Sequence, residues 1–492
     1  MDAHTETTDS AGPAGPARPA DSAGSADSAG SADSAGSADS AGPAAVSGPA
    51  APSGSAAPSG SAEGAGHAAA PSAARGAAAP APGEAPVSPP EAPALPALPV
   101  PPALPALPAA SLRLLRAAGF VSNFDRFCIT PMLLLIGAQL GVPLPTVMLA
   151  ASGYFLAYGL MQPVWGLASD RLGRVRVMRI SLAGAAVAAF CSVLAPDATV
   201  LIVARAAAGA FFAASIAASI TYIGDTVPAA VRQRPLSELM TAFALGTAVA
   251  TVVAGALAHF VSWRLVFALP GVIAAYLAFA LRRLPEPPRA APGALLAPFK
   301  VVLRSRWQWY VMAVAMLEGA VLLGFLTYIA PALEAQGASA TLAGAVSALY
   351  GVGSMAAAQT VKRLVGRWTP VRLMVVGGVQ MALAFGLAAA SRSLPALVVC
   401  TLLLGGGWSF MHSTIQSWAT GLSPAARATG VAMFGLALYV GSALASAIAA
   451  GPAEHHAYRG LFLTAALLTI PLTVAAGVGR ARYDRVTRPD RG

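Results

Sequence analysis

Charge is scarce in this chain. Of its 492 residues 11% are charged and 56% are hydrophobic, and the mean hydropathy is +0.65. Soluble domains carry roughly 25% charged residues, so a large water-soluble body is excluded. Lysine is almost missing: Lys300 and Lys362 stand alone among arginines, a usage we attribute to the codon bias of a GC-rich genome. The three cysteines, Cys128, Cys191 and Cys400, fall inside apolar runs. None has metal-ligand spacing, and each reads as small apolar filler. No Gly-x-x-x-x-Gly-Lys-Ser/Thr loop occurs, which argues against ATP as the energy source. No His, Cys and Asp cluster has metal spacing, so neither a metal nor a cofactor is expected. His455-His456 reads as an incidental pair in an outer loop. No signal peptide precedes the first apolar run, which begins after residue 110, so the first span is expected to act as the insertion signal.

The charge that is present is divided unevenly. The net charge of +10 is the difference between an acidic first part and a basic remainder. Residues 1–110 carry ten acidic residues against Arg18 and Arg75; the rest carries 29 basic and 11 acidic residues. That first part is also low in complexity. Asp-Ser-Ala-Gly-Ser-Ala repeats from Asp21 to Gly42, and Leu-Pro-Ala-Leu-Pro runs occupy Leu95 to Pro108. Such composition buries too little apolar surface to offset its ordering entropy. A disordered tail ending in a polyproline II spacer is expected, inert or, as the alternative, partner-binding.

After the tail the chain alternates between apolar runs and basic loops. Twelve apolar segments are expected at about 117–140, 146–168, 176–195, 198–222, 238–261, 264–283, 307–332, 341–361, 371–390, 395–418, 425–450 and 458–479. Each approaches the roughly 20 residues needed to cross a hydrocarbon core. Their backbone groups have no water to bond, so they must be helices. With the N-terminus placed inside, the cytoplasmic segments hold 24 basic residues and the outer ones only Arg264, Arg392 and Arg459. This asymmetry puts both ends in the cytoplasm. It also favours a membrane over nucleic acid as the reason for a basic chain. The longest internal connection, about 284–306, divides the spans six and six. Its end, Leu295–Arg306, suits a linker that touches the inner leaflet as a short amphipathic helix.

The densest motif lies after the second span: Gly166-Leu-Ala-Ser-Asp170-Arg171-Leu-Gly173-Arg174. Glycine permits a tight turn there, and a carboxylate sits among cations. The second half echoes it after the eighth span with Gly366-Arg367, where Arg363 takes the place of Asp170. Two parallel six-span halves fit the internal repeats of secondary transporters.

These residues resemble the signature between spans two and three of the major facilitator superfamily. Arg205-x-x-x-Gly209 in span four and Ser262-Trp263-Arg264 before span six resemble further family elements. The resemblance covers about residues 111–480 and extends to drug/proton antiporter-type members. It departs from them in span five, where a Gly-Pro-x-x-Gly-Gly element gives way to Ala250-Thr251-Val-Val-Ala254-Gly255. The resemblance implies an all-α membrane protein of twelve transmembrane helices in two six-helix pseudo-repeat bundles. It further implies that Asp170, with Gly166, Arg171, Gly173 and Arg174, closes an inner gate by capping span eleven. Ser423-Pro424 supplies a fitting N-cap and first-turn proline for that helix.

A few polar residues inside the spans carry the remaining chemistry. Charges at such depth face one another or a wet cavity. Asp125 is expected to pair with Arg205 or with its neighbour Arg126, as a proton-coupling site or as a permanently ionised structural pair. Glu318 in span seven is expected to meet a cationic substrate or a proton, or to be a neutral acid bonded to a neighbouring helix. Trp408, His412 and Gln416 have the spacing of one helix face and are candidates for the substrate cavity. Tyr154, Tyr158 and Gln162 form a second stripe, read mainly as interhelical hydrogen bonding, with Gln162 retained as a cavity residue. The expected function is proton-coupled export of a small amphipathic or cationic compound from the cell. The expected protein is a monomer in the cell membrane, without nucleic-acid partners or enzymatic activity. Uptake symport of a metabolite is the runner-up, and a non-transporting sensor or scaffold the alternative from another class.

Overall fold

The computed structural model describes residues 109–228, 231–287 and 297–487. The tail expected over 1–110 lies outside these residues apart from Ala109 and Ala110. So do residues 288–296 of the linker and 488–492 at the C-terminal end.

Among the described residues twelve helices are long and apolar enough to cross a bilayer. In chain order, as spans one to twelve, they are Ala109–Leu140, Leu144–Leu172, Arg174–Val193, Ala198–Thr226, Gln233–Phe260, Trp263–Arg283, Arg306–Glu334, Ala340–Leu364, Pro370–Ala390, Leu394–Leu422, Arg427–Ile448 and Tyr458–Thr487. Every expected apolar segment coincides with one of them. Span one starts earlier than its apolar run, and span twelve continues through Arg480, Arg482 and Arg485.

Local chemistry sets many of the starts. Asp197 Oδ1 accepts from Val200 N at 2.9 Å before span four, and Ser339 Oγ from Leu342 N at 3.2 Å before span eight. Ser305 and Thr369 do the same before spans seven and nine. Each satisfies one of the orphan N–H groups at a helix start.

Four spans are not uniform α-helix; span six ends in a 3-10 turn over Leu281–Arg283, and three others are interrupted within. Span one is α-helical to Phe127, makes a 3-10 turn over Thr130–Met132 and resumes at Leu133. Pro131 in that turn lacks the N–H that a continuous helix would use. Spans seven and ten each contain a π-helical turn, Ala320–Gly324 and Trp408–His412.

The first six spans and the last six form two bundles. Span two packs on span eleven and span five on span eight. The last turns of span five and the first turns of span eight approach at backbone distance. A side chain at Gly255 would strike the backbone of Ala340, and one at Gly344 the carbonyl of Thr251. Thr341 Oγ1 donates to the Gly255 carbonyl at 3.4 Å across the same joint. At the opposite end of the same two spans, Lys362 Nζ donates to Ser237 Oγ at 3.2 Å.

Candidate functional site

Asp125 and Arg126 are neighbours at the end of the first helical segment of span one. Successive residues on an α-helix point about 100° apart, so the two side chains face different partners. This resolves the choice left open for Asp125. Its Oδ1 and Oδ2 each accept from Arg205 of span four at 2.9 Å, and its backbone carbonyl accepts a third bond from Arg205 Nη2 at 2.7 Å. That carbonyl is close to the 3-10 break, where the regular ladder of span one stops. Both side chains are 0% exposed. Arg205 lies between the rings of Tyr154 and Phe267, at 4.8 and 4.6 Å. The result is a bidentate ion pair closed off within the first half.

Arg126 is turned toward the seam between the halves. Its Nη1 donates to Tyr439 Oη of span eleven at 2.7 Å. The guanidinium stands 4.1 Å from the ring of Tyr158 and 5.1 Å from that of Tyr439. Those rings meet edge to face at 4.6 Å. The residue is 7% exposed, and its Nε and Nη2 have no hydrogen-bond partner among the described residues. Among the described residues no carboxylate pairs with it. Tyr439 escaped the sequence reading because it is a single tyrosine in an apolar helix, with no stripe to flag it.

The second half contributes a different pair. Glu318 Oε2 lies 3.2 Å from His412 Nδ1, while Glu318 Oε1 is buried without a partner among the described residues. The His412 ring stacks on Trp408 at 3.6 Å and 9°. The two π turns place this pair: Glu318 stands just before one, and Trp408 and His412 bound the other. Such turns add a residue to the helical circuit and often occur at functional sites. The expected grouping of three does not hold. Trp408 and His412 come together, whereas Gln416 is exposed. Tyr350 of span eight is within electrostatic reach of both Glu318 and Arg126, so the two pairs belong to one central region.

Gln162 is half-buried opposite Gly435 of span eleven, one turn beyond Tyr158. Tyr154 and Tyr158 stack on each other at 6.1 Å. Their main contacts are with arginines and aromatic rings, where interhelical hydrogen bonding was expected.

The Asp170 loop differs from its expected arrangement. The Asp170 carboxylate is 59% exposed and pairs with Arg174, while Arg174 Nε also meets Asp225 Oδ2 at 3.1 Å. It does not cap span eleven. Ser423 makes no cap hydrogen bond, Pro424–Ala426 forms a 3-10 turn, and the helix starts at Arg427. Gly166 has open space around it, Arg171 is exposed, and Gly173 holds φ at +99°. The helix that is capped is span three: Glu286 accepts from Val175 N at 3.1 Å and from Arg176 N at 3.2 Å. A carboxylate at a helix N-terminus offsets its dipole. Glu286 sits in a proline-rich connection with no local sign of that role. In this conformation span five meets span eight at Gly255 and Gly344, and the Asp170 carboxylate pairs within its own half.

No group of His, Cys, Asp and Glu able to hold a metal occurs among the described residues.

Known proteins agree with this architecture. The family model described as Major Facilitator Superfamily matches residues 116–337 and 326–491. The putative metabolite transport protein YyaJ of Bacillus subtilis is 28% identical over 182 residues, which is 36% of this chain and 40% of that protein. The multidrug efflux pump LfrA of Mycolicibacterium smegmatis is 31% identical over 153 residues, 30% of each chain. The chain thus spans less than half the length of these relatives. Among solved structures, a bacterial homologue of the human lysosomal transporter Spinster, inward-facing and unoccupied, superposes with a TM-score of 0.63. It is 15% identical and covers 78% of this chain and all (100%) of its own.

Proposed function

Because this chain belongs to the Major Facilitator Superfamily, we propose that it exports a small amphipathic molecule from the cell by alternating access, coupled to protons. We place it in the cell membrane as a monomer with both ends cytoplasmic, following its loop arginines. The observation that carries the reading is the closed Asp125–Arg205 pair beside the unpaired donors of Arg126. Protonation of Asp125 dissolves the pair, loosens span one from span four and changes the charge beside the seam. Arginine cannot lose its own proton, so the exchangeable proton belongs to the carboxylate. The Glu318–His412 pair is the second group able to take one.

The geometry favours one of the two substrate chemistries left open by the sequence. Glu318, expected to greet a cation, is engaged by His412, whereas Arg126, which reaches Tyr439 across the seam, keeps two nitrogens without hydrogen-bond partners among the described residues. An amphipathic molecule with an anionic end suits this arrangement better than a cationic one. Tyr158, Tyr439 and Trp408 supply apolar faces for the rest of it. An inside-negative potential drives an anion outward, by about 2.3 kcal/mol per charge per 100 mV. The likeness to the efflux pump LfrA supports the same direction.

The test uses inverted vesicles with an acidified lumen. Addition of an exported amphipathic anion should release luminal protons through the wild-type protein. Absence of flux across a broad panel of amphiphiles removes proton coupling. Accumulation seen only in right-side-out vesicles replaces export by uptake symport. Asp170→Asn removes the carboxylate that, on this reading, caps span eleven in the opposite state; it should slow turnover by about two- to thirtyfold, the range for losing such a cap, with apparent affinity unchanged. A loss of affinity alone would remove Asp170 from the gate.

A further inference from the structure

A basic, aromatic groove lies away from the central region, where the start of span seven meets the end of span twelve. It has a volume of about 470 Å³ and is lined by Arg306, Trp307 and Tyr310 on one side and by Gly479, Arg482 and Arg485 on the other. From this we infer that the groove binds the phosphate headgroup of an anionic phospholipid of the inner leaflet.

Three observations carry the inference. The first is charge. Arg306, Arg482 and Arg485 are exposed and make no ion pair among the described residues. The nearby acid, Asp484, is taken by Arg480 at 3.0 Å. Three guanidinium groups therefore line one groove with no paired counter-charge among the described residues, and a guanidinium fork matches a phosphate well.

The second is depth. Span twelve is a 30-residue helix, about 45 Å at 1.5 Å per residue, against a hydrocarbon core of about 30 Å. Its last turns therefore run beyond the acyl region to headgroup level. Trp307 and Tyr483 meet edge to face at 5.4 Å, and both pack on Trp418. Such an aromatic group is typical of the membrane–water boundary.

The third is amphipathicity. Val486 at the lip is 65% exposed, and Trp309 next to Tyr310 is 53% exposed. The helix Ala297–Arg304 leads into this corner with Lys300 and Arg304, and exposes Val301 and Leu303. A soluble anion would use the arginines alone, whereas a lipid uses both the cations and the apolar rim. The floor is fixed, because Tyr310 Oη donates to the Ala475 carbonyl at 2.8 Å and its ring fills the space beside Gly479.

The experiment retains the full chain in vesicles or nanodiscs of zwitterionic phosphatidylcholine doped with phosphatidylglycerol. Lipid retained on the protein is counted by native mass spectrometry. The wild type should hold phosphatidylglycerol in preference to phosphatidylcholine. The variant R306Q/R482Q/R485Q should lose that preference about tenfold or more, since each cation near an anionic surface contributes measurably to binding. All three side chains are exposed, so folding should survive; an unchanged Tm checks this. A second variant, R363Q/R367Q/R372Q, removes equal charge from another cytoplasmic loop and should retain the preference. Equal retention by wild type and the first variant overturns the site. Equal loss in both variants reduces it to general surface charge and also overturns it. Displacement of the lipid by millimolar inorganic phosphate would assign the groove to a soluble anion instead.

Discussion

Asp125→Asn should abolish substrate-driven proton release and also lower the thermal stability of the protein. The substitution keeps the size of the side chain and one acceptor oxygen, so the contact with Arg205 is not lost sterically. What disappears is the charge and the capacity to bind a proton. Arg205 stays ionised and 0% exposed between Tyr154 and Phe267. Removing one partner of a buried ion pair costs about 3–5 kcal/mol, because the other charge is left uncompensated. A fall in activity alone would therefore be ambiguous. The double variant Asp125→Asn/Arg205→Met resolves it. Replacing both members of a buried pair by uncharged groups is often neutral or stabilising, so this variant should regain most of the lost Tm. It should not regain proton flux, since no carboxylate remains at the seam of spans one and four. Flux that returns with stability would make the pair a structural element and transfer coupling to Glu318 and His412.

What was legible in the sequence and what was not divide along a physical line. The spans were legible because lipid imposes a length, an apolar composition and internal backbone bonding, each of which leaves a local mark. Their starts were legible where a capping residue precedes them, as at Asp197, Ser305, Ser339 and Thr369. Asp125, Arg126 and Arg205 stood out because charges within apolar runs are rare. Which of them pair was not legible, since it depends on how span one is rotated against span four. Tyr439 was hidden for the same reason: one tyrosine in span eleven means nothing until span eleven lies against Arg126. The π turns were hidden because hydropathy carries no sign of an added residue, although Gly405-Gly406-Gly407 before Trp408 marks a place where the helix can deform. Gln416, one helical step beyond His412 in regular α-helix, is exposed and stands outside the expected group. Asp170 was recognisable as a motif, yet its partner, Arg174, was not marked among the neighbouring arginines, because the choice depends on how the turn at Gly173 folds.

Arg126→Gln should remove the preference for anionic substrates. The residue has one hydrogen bond, to Tyr439 Oη at 2.7 Å, and two nitrogens without partners among the described residues. In the membrane interior such donors stay costly until a ligand or water meets them. A charged hydrogen bond is worth about 1.5–3 kcal/mol, so losing it should weaken binding of an amphipathic anion about ten- to a hundredfold. Matched amphiphiles that share one alkyl chain and end in a sulfonate, an alcohol or an ammonium make the measurement specific. The wild type should bind the sulfonate best, and Arg126→Gln should bind it no better than the alcohol. Arg126→Lys should fall between them, because a lysine supplies the charge without the planar fork. Tyr439→Phe removes the hydroxyl but leaves the ring under the guanidinium, so it should preserve the order of the three ligands. If Arg126→Gln weakens all three alike, the guanidinium is a packing group against Tyr158 and Tyr439, and the anionic end must be sought elsewhere in the seam. If the ammonium compound binds best to the wild type, Glu318 recognises the substrate despite its contact with His412, and the polarity of the chamber is the reverse of the one argued from its unpaired donors.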